Sequence, residues 1–333
     1  MKVGKLNWDD LKSIIDENRG YKREDVRIRS SIGEDCSVIN FGDYECILST
    51  DPITGAESGI GKLAVHINCN DIASSGVEPV GILVTILAPE NTTLDQIKQV
   101  MKEIHEETQK LNVEILGGHT EITTAVNRII VSCTAIGKGL KETAVATAGA
   151  KVGDDIVVTK QLGMEGTAII VNDYYDTARE ILSASEIEEA KNYVEELSVV
   201  KEGIISGKFG VNSMHDITEG GVLGALWEVA KASNVGFRVY KDKMPISEAT
   251  NKLCNKYEID VLRFISSGSM LITTDNGEAL AKKLKTKGIN AAIVGNITND
   301  KGILIENQVE IEVEPPERDE LFSLQEKINK FTR

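Results

Sequence analysis

The sequence is poor in cysteine, and its five cysteines form no close pairs. They are odd in number, include no CxxC motif and mostly stand among apolar residues: Cys36, Cys46, Cys69, Cys133 and Cys254. This pattern argues against a disulfide framework and against a zinc site. It indicates buried, reduced thiols.

Long apolar runs are also missing. The first residues, Met1–Leu6, carry no apolar signal region. No stretch approaches the roughly 20 apolar residues that a membrane span needs. We therefore expect a cytoplasmic protein without a membrane partner.

Positive charge is scarce relative to negative charge. The chain has 37 Lys and Arg against 52 Asp and Glu, which gives a net charge of −15 and a pI near 4.9. Nucleic acids and anionic membranes are bound by clustered Lys and Arg, so we expect neither partner. A nucleotide is not excluded, because it needs only a local site with a cation. The acidity otherwise serves solubility.

Two familiar nucleotide-binding motifs are absent. No GxxxxGK[ST] sequence occurs, and no GxGxxG opens a helix after a strand. The chain is therefore neither a P-loop protein nor a typical Rossmann protein. Any nucleotide must be held by another architecture.

The length of 333 residues indicates two domains, at roughly 150 residues per domain. The small, polar, glycine-punctuated segment Lys138–Lys151 is a plausible junction. We predict an N-terminal domain over residues 1–145 that binds ATP and Mg²⁺, and a C-terminal domain over residues 146–333. Both halves are predicted to be mixed αβ units with antiparallel strands.

Hydrophobic periodicity predicts the individual elements. The expected helices are 6–18, Lys62–Ser75, Leu94–Leu111, Thr167–Asn172, Ser185–Ile205, Val222–Ser233, Ser247–Tyr257 and Glu278–Lys287. The expected strands are Val26–Ser31, Cys36–Phe41, Glu45–Ser49, Val80–Leu87, Val113–Leu116, Arg128–Ile136, Asp154–Thr159, Gly236–Tyr240, Ser269–Thr274, Ala291–Ile297 and Ile303–Ile305. Thr93 and Gln96 predict a capping box at the start of the helix Leu94–Leu111.

Acidic residues and glycines recur together at the ends of the apolar runs. The clusters are Gly33-Glu34-Asp35, Ser49-Thr50-Asp51, Asn70-Asp71, Gly117-Gly118-His119-Thr120 and His215-Asp216, the last followed by Thr218-Glu219-Gly220-Gly221. Mg²⁺ takes hard oxygen ligands and shares them with phosphates. Glycine allows the backbone to approach a phosphate closely. Each cluster alone is typical of a turn, because Asp and Gly are common turn residues, but five such clusters in one chain favour a magnesium–nucleotide site.

This ordered set resembles the aminoimidazole ribonucleotide synthetase (PurM-like) superfamily. Within it, HypE-like hydrogenase expression/formation proteins look closest, through Gly59–Val65, Gly163–Ala168 and Met214-His215-Asp216. The resemblance implies a mixed α/β (α+β), two-domain PurM-like fold. Its N-terminal αβ domain would pair with a second copy into a β-barrel, making a homodimer, with the C-terminal αβ domain alongside. ATP would lie in a cleft, with Mg²⁺ on carboxylates.

Three aspartates are the expected metal ligands, namely Asp35, Asp51 and Asp71. Alternatively, Asp35 is a turn residue beside Gly33, and Asp51 forms an Asx turn before Pro52. Asp71 is the strongest of the three, because an unpaired carboxylate in an apolar helix would be costly.

The resemblance and the local chemistry together suggest further site residues. The expected catalytic residues are Lys62, His119 and Asp216. The expected cofactor-binding residues are Gly33, Thr50, Asn70, Gly117, Gly118 and Thr120. A helix N-terminus next to Lys62 favours phosphate. The simpler alternatives are an exposed first-turn lysine, a tight turn at the two adjacent glycines, and a plain N-cap in Thr218–Gly221.

The sequence departs from the HypE pattern at two points. His119 stands where many superfamily members have an acidic residue. A histidine can donate a hydrogen bond to phosphate or transfer a proton, but it cannot replace a carboxylate on Mg²⁺ without changing the site. HypE proteins end in a cysteine that carries the reacting carboxamide, whereas this sequence ends Phe331-Thr332-Arg333. We therefore expect a separate small-molecule or protein acceptor and a loose tail from residue 326.

Three functions remain open at the level of sequence. The first is an ATP-dependent HypE-like enzyme that activates an amide-type or other acceptor by phosphoryl transfer, with hydrogenase-maturation proteins as partners. The second is a non-catalytic nucleotide-binding partner in metallocentre assembly. The third is a kinase resembling thiamine-monophosphate kinase.

Overall fold

A computed structural model describes residues 6, 8–18, 20–29, 31, 33–54, 59–315 and 318–331. The helices within these ranges are α1 (Trp8–Glu17), α2 (Ile60–Ser74), α3 (Leu94–Leu111), α4 (Met164–Asp173), α5 (Tyr175–Ala178), α6 (Ala184–Asn192), α7 (Val200–Phe209), α8 (Gly221–Ser233), α9 (Glu248–Lys256), α10 (Gly277–Lys285) and α11 (Leu324–Phe331). None of the helices in this part of the chain has the length and apolar character to cross a bilayer.

The strands of the N-terminal half are β1 (Val26–Ile28), β2 (Ser37–Phe41), β3 (Tyr44–Ile53), β4 (Glu78–Ala88), β5 (Glu114–Ile122) and β6 (Ile130–Leu140). Those of the C-terminal half are β7 (Asp155–Thr159), β8 (Ser213–Ile217), β9 (Gly236–Tyr240), β10 (Ser269–Thr274), β11 (Ala291–Thr298), β12 (Gly302–Glu306) and β13 (Val309–Glu312).

These strands form two largely antiparallel sheets. In the described residues, the N-terminal sheet has the order β1-β2-β3-β6-β4-β5 and the C-terminal sheet the order β13-β12-β9-β11-β7-β10-β8. Each contains one parallel pair, β4 with β5 and β9 with β12. The predicted mixed α/β fold with two sheets is confirmed.

The N-terminal sheet is covered on one face and open on the other. Ile82, Val84 and Ile86 of β4 are at most 4% exposed and belong to the core beneath α2 and α3. On β4 and β5, Leu83 and Leu116 are 41% and 48% exposed. The alternation of β-strand side chains therefore leaves an apolar face without cover in the single chain.

The strands β7, β8 and β10 of the C-terminal sheet are buried on both faces. Along β7, Ile156 and Val158 belong to the core of the C-terminal half, whereas Val157 belongs to the core shared with α2. The two halves thus share one apolar interior. The backbones also approach closely where Gly207 of α7 meets Gly76, just after α2: a Cβ on Gly207 would lie 2.5 Å from the Gly76 oxygen.

The helix α2 lies at the seam between the halves. It begins at Ile60, two residues before the predicted start at Lys62, and follows Gly59, which has φ 67°. Gly61 lies inside the helix, where a Cβ would lie 2.4 Å from the Val100 oxygen of α3. The helix α3 has the predicted bounds, and the Thr93–Gln96 capping box is confirmed.

Several predicted elements differ from the structure. The strand expected over Val113–Leu116 continues to Ile122, so Gly117 and Gly118 are extended residues of β5 and not a turn. The helix expected over Ser185–Ile205 is divided into α6 and α7 by a 3-10 turn at Tyr193–Glu195. The strands β8 and β13 were not expected; they have only 5 and 4 residues, which is too short for a clear periodic pattern.

The C-terminal segment is docked, contrary to expectation. Ile328 of α11 is 2% exposed and belongs to the core of the C-terminal half. Lys327 donates to the Glu258 carbonyl oxygen at 2.9 Å. Removal of residues from 326 onward would therefore take away a core side chain. The predicted looseness is wrong up to Phe331, and residues 332–333 lie outside the described part.

Candidate functional site

A cleft of about 1860 Å³ opens between the two sheets. Its walls come from β3 and α2 on one side and from α4, β8 and the start of α8 on the other. The segment Arg318–Leu324 closes one end. Four of the predicted site carboxylates line this single space: Asp35, Asp51, Asp71 and Asp216.

Asp71 is the most deeply buried of the three predicted metal ligands. It stands on α2 with 6% exposure, and Ser49 of β3 donates a hydrogen bond to its Oδ2 at 2.5 Å. Burial raises the pKa of Asp71 well above its usual value, and the nearby carboxylates of Asp216, Asp51 and Asp35 raise it further. A bound cation would relieve this repulsion and favour the ionised form.

His215 of β8 connects two carboxylates on opposite sides of its ring. Its Nδ1 lies 2.8 Å from Asp35 Oδ2, and its Nε2 lies 2.5 Å from Glu228 Oε2. Burial opposes protonation of the ring, but Asp35 and Glu228 raise the pKa of His215 well above its usual value. The ring thereby holds Asp35 in a set orientation.

The backbone positions each carboxylate through local contacts. The Asp51 amide donates to Asn68 Oδ1 of α2 at 2.9 Å, and the Asn68 side chain donates back to the Asp51 carbonyl oxygen at 3.2 Å. This exchange fixes β3 against α2. Asp35 follows Gly33, whose φ of 78° suits glycine, and a Cβ there would meet Glu228 Cβ at 3.2 Å.

The donor set fits a hard divalent cation. Oxygen and nitrogen atoms of Asp35, His215 and Asp216 lie within 4.8 Å of one another. Asp71 adds a buried carboxylate, and Asp51 acts on it through its charge. Mg²⁺ favours carboxylate oxygens over imidazole nitrogen, and the His215 nitrogens already face Asp35 and Glu228. The ligands offered by this site are therefore aspartates.

Lys62 and Thr50 also line the cleft, each with partners of its own. Lys62 Nζ lies 2.5 Å from Glu195 Oε1 and 3.7 Å from Glu107 Oε1. Its amine thus joins α2 and α3 to the 3-10 turn of the C-terminal half. Thr50 donates to the Cys133 carbonyl oxygen at 2.9 Å and accepts from Thr134 at 3.1 Å.

Asn70 faces away from the other site residues. It is fully buried, its side chain donates to the Leu197 carbonyl oxygen at 2.9 Å, and it accepts from the Val199 amide at 2.8 Å. Both polar groups of the Asn70 side chain therefore hold the loop that contains Leu197 and Val199 against α2. Its predicted role in cofactor binding has no support in these contacts and stays a prediction.

The second predicted cluster lies away from the cleft. Gly117, Gly118, His119 and Thr120 are exposed residues of β5, an edge strand of the N-terminal sheet. Three strand spacings separate β5 from β3, or about 14 Å. His119 Nε2 lies 3.3 Å from Glu121 Oε2. Within one chain, the structure does not bring these residues to Asp71, and their roles stay predictions.

The sequence interpretation missed three polar residues of the cleft. Glu165, Ser267 and Asp319 line it and are at most 7% exposed. Glu165 belongs to the Gly163–Ala168 motif, so this motif was the signal in the sequence that could have identified Glu165 as a site residue. Ser267 and Asp319 stand in irregular segments without a recognisable pattern.

The sequence matches a known family in both halves of the chain. Residues 33–138 match the N-terminal domain, and residues 151–306 the C-terminal domain, of AIR synthase related proteins. The chain belongs to this family. A candidate hydrogenase expression/formation protein of Methanocaldococcus jannaschii is 30% identical over 321 residues, which cover 92% of each chain. The thiamine-monophosphate kinase of Pyrococcus horikoshii is 26% identical, with 85% of this chain and 88% of that protein covered.

Solved structures agree on the fold. The structure of a HypE–HypF complex contains a chain with a TM-score of 0.74 and 23% identity, covering 91% of this chain and 100% of that one. HypE in complex with ATP has a TM-score of 0.67 and 20% identity, covering 83% and 87%. The predicted PurM-like, HypE-like resemblance is therefore confirmed.

Proposed function

We propose that this protein binds Mg²⁺-ATP in the cleft between its sheets and transfers the γ-phosphoryl group to an acceptor. The convergence of Asp35, Asp51, Asp71 and Asp216 on one space carries this proposal. The family relationship supports it, because a HypE of the same fold has been solved with ATP.

In this proposal Asp35, Asp51 and Asp71 hold Mg²⁺, and Asp216 adds a carboxylate from the C-terminal half. The ion would neutralise the phosphates and help to align them for transfer. His215 keeps Asp35 in place, and Ser49 keeps Asp71 in place. Lys62 lies at the edge of the cleft, where its ammonium can stabilise phosphate charge after exchanging Glu195 for the nucleotide.

The acceptor in this proposal is a separate small molecule or protein. The described C-terminal helix α11 is packed into the core through Leu324 and Ile328, so it is fixed in place and does not serve as a mobile acceptor. The relative from M. jannaschii supports a role in hydrogenase maturation or a related metallocentre assembly, with maturation proteins as partners.

We propose that the domains divide at 145/146 and that two copies pair through the open face of the N-terminal sheet. The matched family domains end at 138 and begin at 151, on either side of this boundary. Leu83 and Leu116 supply an apolar contact on that face. His119 pairs with Thr85, two residues beyond Leu83, so a partner copy would cover it too.

A kinase activity is the second candidate. The thiamine-monophosphate kinase of P. horikoshii covers most of this chain at 26% identity. Incubation with ATP, Mg²⁺ and thiamine monophosphate, followed by mass analysis of the product, distinguishes this candidate from the first.

The decisive experiment replaces Asp71 with Asn. We expect wild-type protein to bind ATP only with Mg²⁺ in calorimetry and to release phosphate when an acceptor is supplied. Asp71→Asn should weaken Mg²⁺-ATP binding at least 10-fold, because the most buried of the three proposed Mg²⁺ ligands is lost. Asp43→Asn, at the exposed β2–β3 turn, is the matched control and should bind as wild type.

Unchanged Mg²⁺-ATP affinity in Asp71→Asn would show that this metal site is assigned wrongly. Normal Mg²⁺-ATP binding by the wild type without any phosphate release would instead favour a non-catalytic nucleotide-binding partner.

A further inference from the structure

The C-terminal side of the cleft holds a buried carboxylate that the proposed phosphoryl chemistry does not use. Glu165 stands in the first turn of α4, is 7% exposed and lines the cleft. Its Oε2 atom has no hydrogen-bond partner among the described residues. A buried polar atom without a partner costs free energy, so a donor from a ligand would improve this site.

The surroundings of Glu165 are acidic. Burial raises its pKa to about 7, the hydrogen bond with Ser267 acts in the opposite direction, and the charges of Asp319 and Glu219 raise it further. Asp319 is already occupied, since it accepts from the Gly220 amide at 2.6 Å and the Leu321 amide at 2.7 Å. Glu165 is therefore the carboxylate of this group with an acceptor atom available.

Apolar side chains line the cleft beside this carboxylate. Ile169 follows Glu165 by one helical turn on α4, and Phe322 and Leu324 lie on the C-terminal segment. An acidic floor with apolar walls repels anions and suits an organic cation, whose charge meets the carboxylate while its carbon atoms are desolvated.

We propose that Glu165, with Ser267 and Glu219 beside it, forms the subsite for the acceptor, and that the acceptor presents a cationic N–H group such as an amidinium or ammonium. This inference rests on the proposed function. The aspartate cluster holds the nucleotide, and Glu165 anchors the acceptor elsewhere in the same cleft. The expected substrate class is thus a small, partly apolar amidine or amine.

Three probes of one shape test the charge preference of this subsite. Benzamidine, benzamide and benzoate share a ring and differ in charge, and each is titrated by calorimetry into the full chain with and without Mg²⁺-ATP. We expect benzamidine to bind at least 10-fold more tightly than benzamide, and benzoate not to bind. Equal affinities for benzamidine and benzamide would overturn the cationic assignment.

Two variants test the residue. Glu165→Gln keeps the shape and should lower benzamidine affinity at least 10-fold, whereas Glu188→Gln, exposed on α6, should have no effect. Wild-type affinity in a folded Glu165→Gln protein would overturn the subsite. Should that variant fail to fold, Glu219→Gln decides, with a several-fold loss expected and no loss contradicting the proposal.

Mg²⁺-ATP affinity measured on the same samples separates this inference from the proposed function. Retained ATP binding with no benzamidine binding would refute the subsite alone. Benzamidine binding by a protein that does not bind ATP would refute the proposed function alone.

Discussion

At the scale of single residues, the cleft is a place where burial and like charge act together. Asp71 and Glu165 both sit below 8% exposure, and both have neighbours of their own sign. Carboxylates in such surroundings weaken the folded state unless a proton or a cation accompanies them. These buried carboxylates therefore lower the stability of the folded state, as is common at functional sites.

We expect the free energy of unfolding to depend less on pH in Glu165→Gln than in the wild type. Glu165 has a pKa of about 7 in the folded chain against a usual 4.5, so the folded state holds more protons across that window. Stability therefore falls as pH rises through it, by about 3 kcal/mol in full. Asp319 and Glu219 face the same group, but they are present in both proteins.

The measurement is the free energy of unfolding in denaturant from pH 5 to pH 8. Gln does not titrate, so the variant should gain about 2 to 3 kcal/mol relative to wild type over this range. Glu188→Gln should follow wild type throughout. Parallel profiles for Glu165→Gln and wild type would contradict the raised pKa.

At the scale of elements, long periodic segments were predictable from the sequence and irregular ones were not. The bounds of α3 agree residue by residue, because a full apolar stripe and a capping box mark it. For Gly117 and Gly118, a tight turn was the simpler alternative to cofactor binding, whereas pairing with Leu83 and Val84 of β4 places them within a strand. Tertiary contacts of this kind leave no local pattern.

The same distinction between local sequence patterns and tertiary contacts applies to the site residues. Asp35, Asp51, Asp71 and Asp216 were predictable because they stand beside ordered motifs, and the cleft does bring them together. Asn70 was grouped with them by sequence adjacency to Asp71. Successive residues on a helix point about 100° apart, so its amide meets Leu197 and Val199 instead.

The contact of α7 with the end of α2 should tolerate no added side chain. A Cβ at Gly207 would lie 2.5 Å from the Gly76 oxygen and 2.6 Å from its Cα. Gly207→Ala should therefore destabilise the chain by about 2 kcal/mol, despite the better helix propensity of alanine. Lys208→Ala, on the exposed side of the same helix, should stay within about 0.5 kcal/mol of wild type. Equal denaturation midpoints for the two variants would show that the halves can separate without cost.

At the scale of the whole molecule, the two halves form one body and leave one apolar surface uncovered. The core that includes α2 also contains Met214, Met270 and Ile272 of the C-terminal sheet. Asn70 and Lys62 add polar links across the same seam. A cleft lined from both halves is consequently supported by contacts across the seam, which suits the positioning that the proposed phosphoryl transfer requires.

The uncovered face of the N-terminal sheet should pair two copies of the chain. Leu83 is 41% exposed near the middle of β4, and β5 presents an edge of the sheet. Edges and apolar faces of this kind are removed when two sheets close into a barrel. Leu83→Lys should therefore shift the mass measured by light scattering at micromolar concentration from dimer to monomer, since a buried lysine at the interface would lack a partner. Leu94→Lys adds the same charge at the exposed start of α3, where Leu94 is 65% exposed, and should leave the dimer intact. A Leu83→Lys protein that remains dimeric would place the contact between copies elsewhere, and a monomeric wild type would show that the copies do not pair.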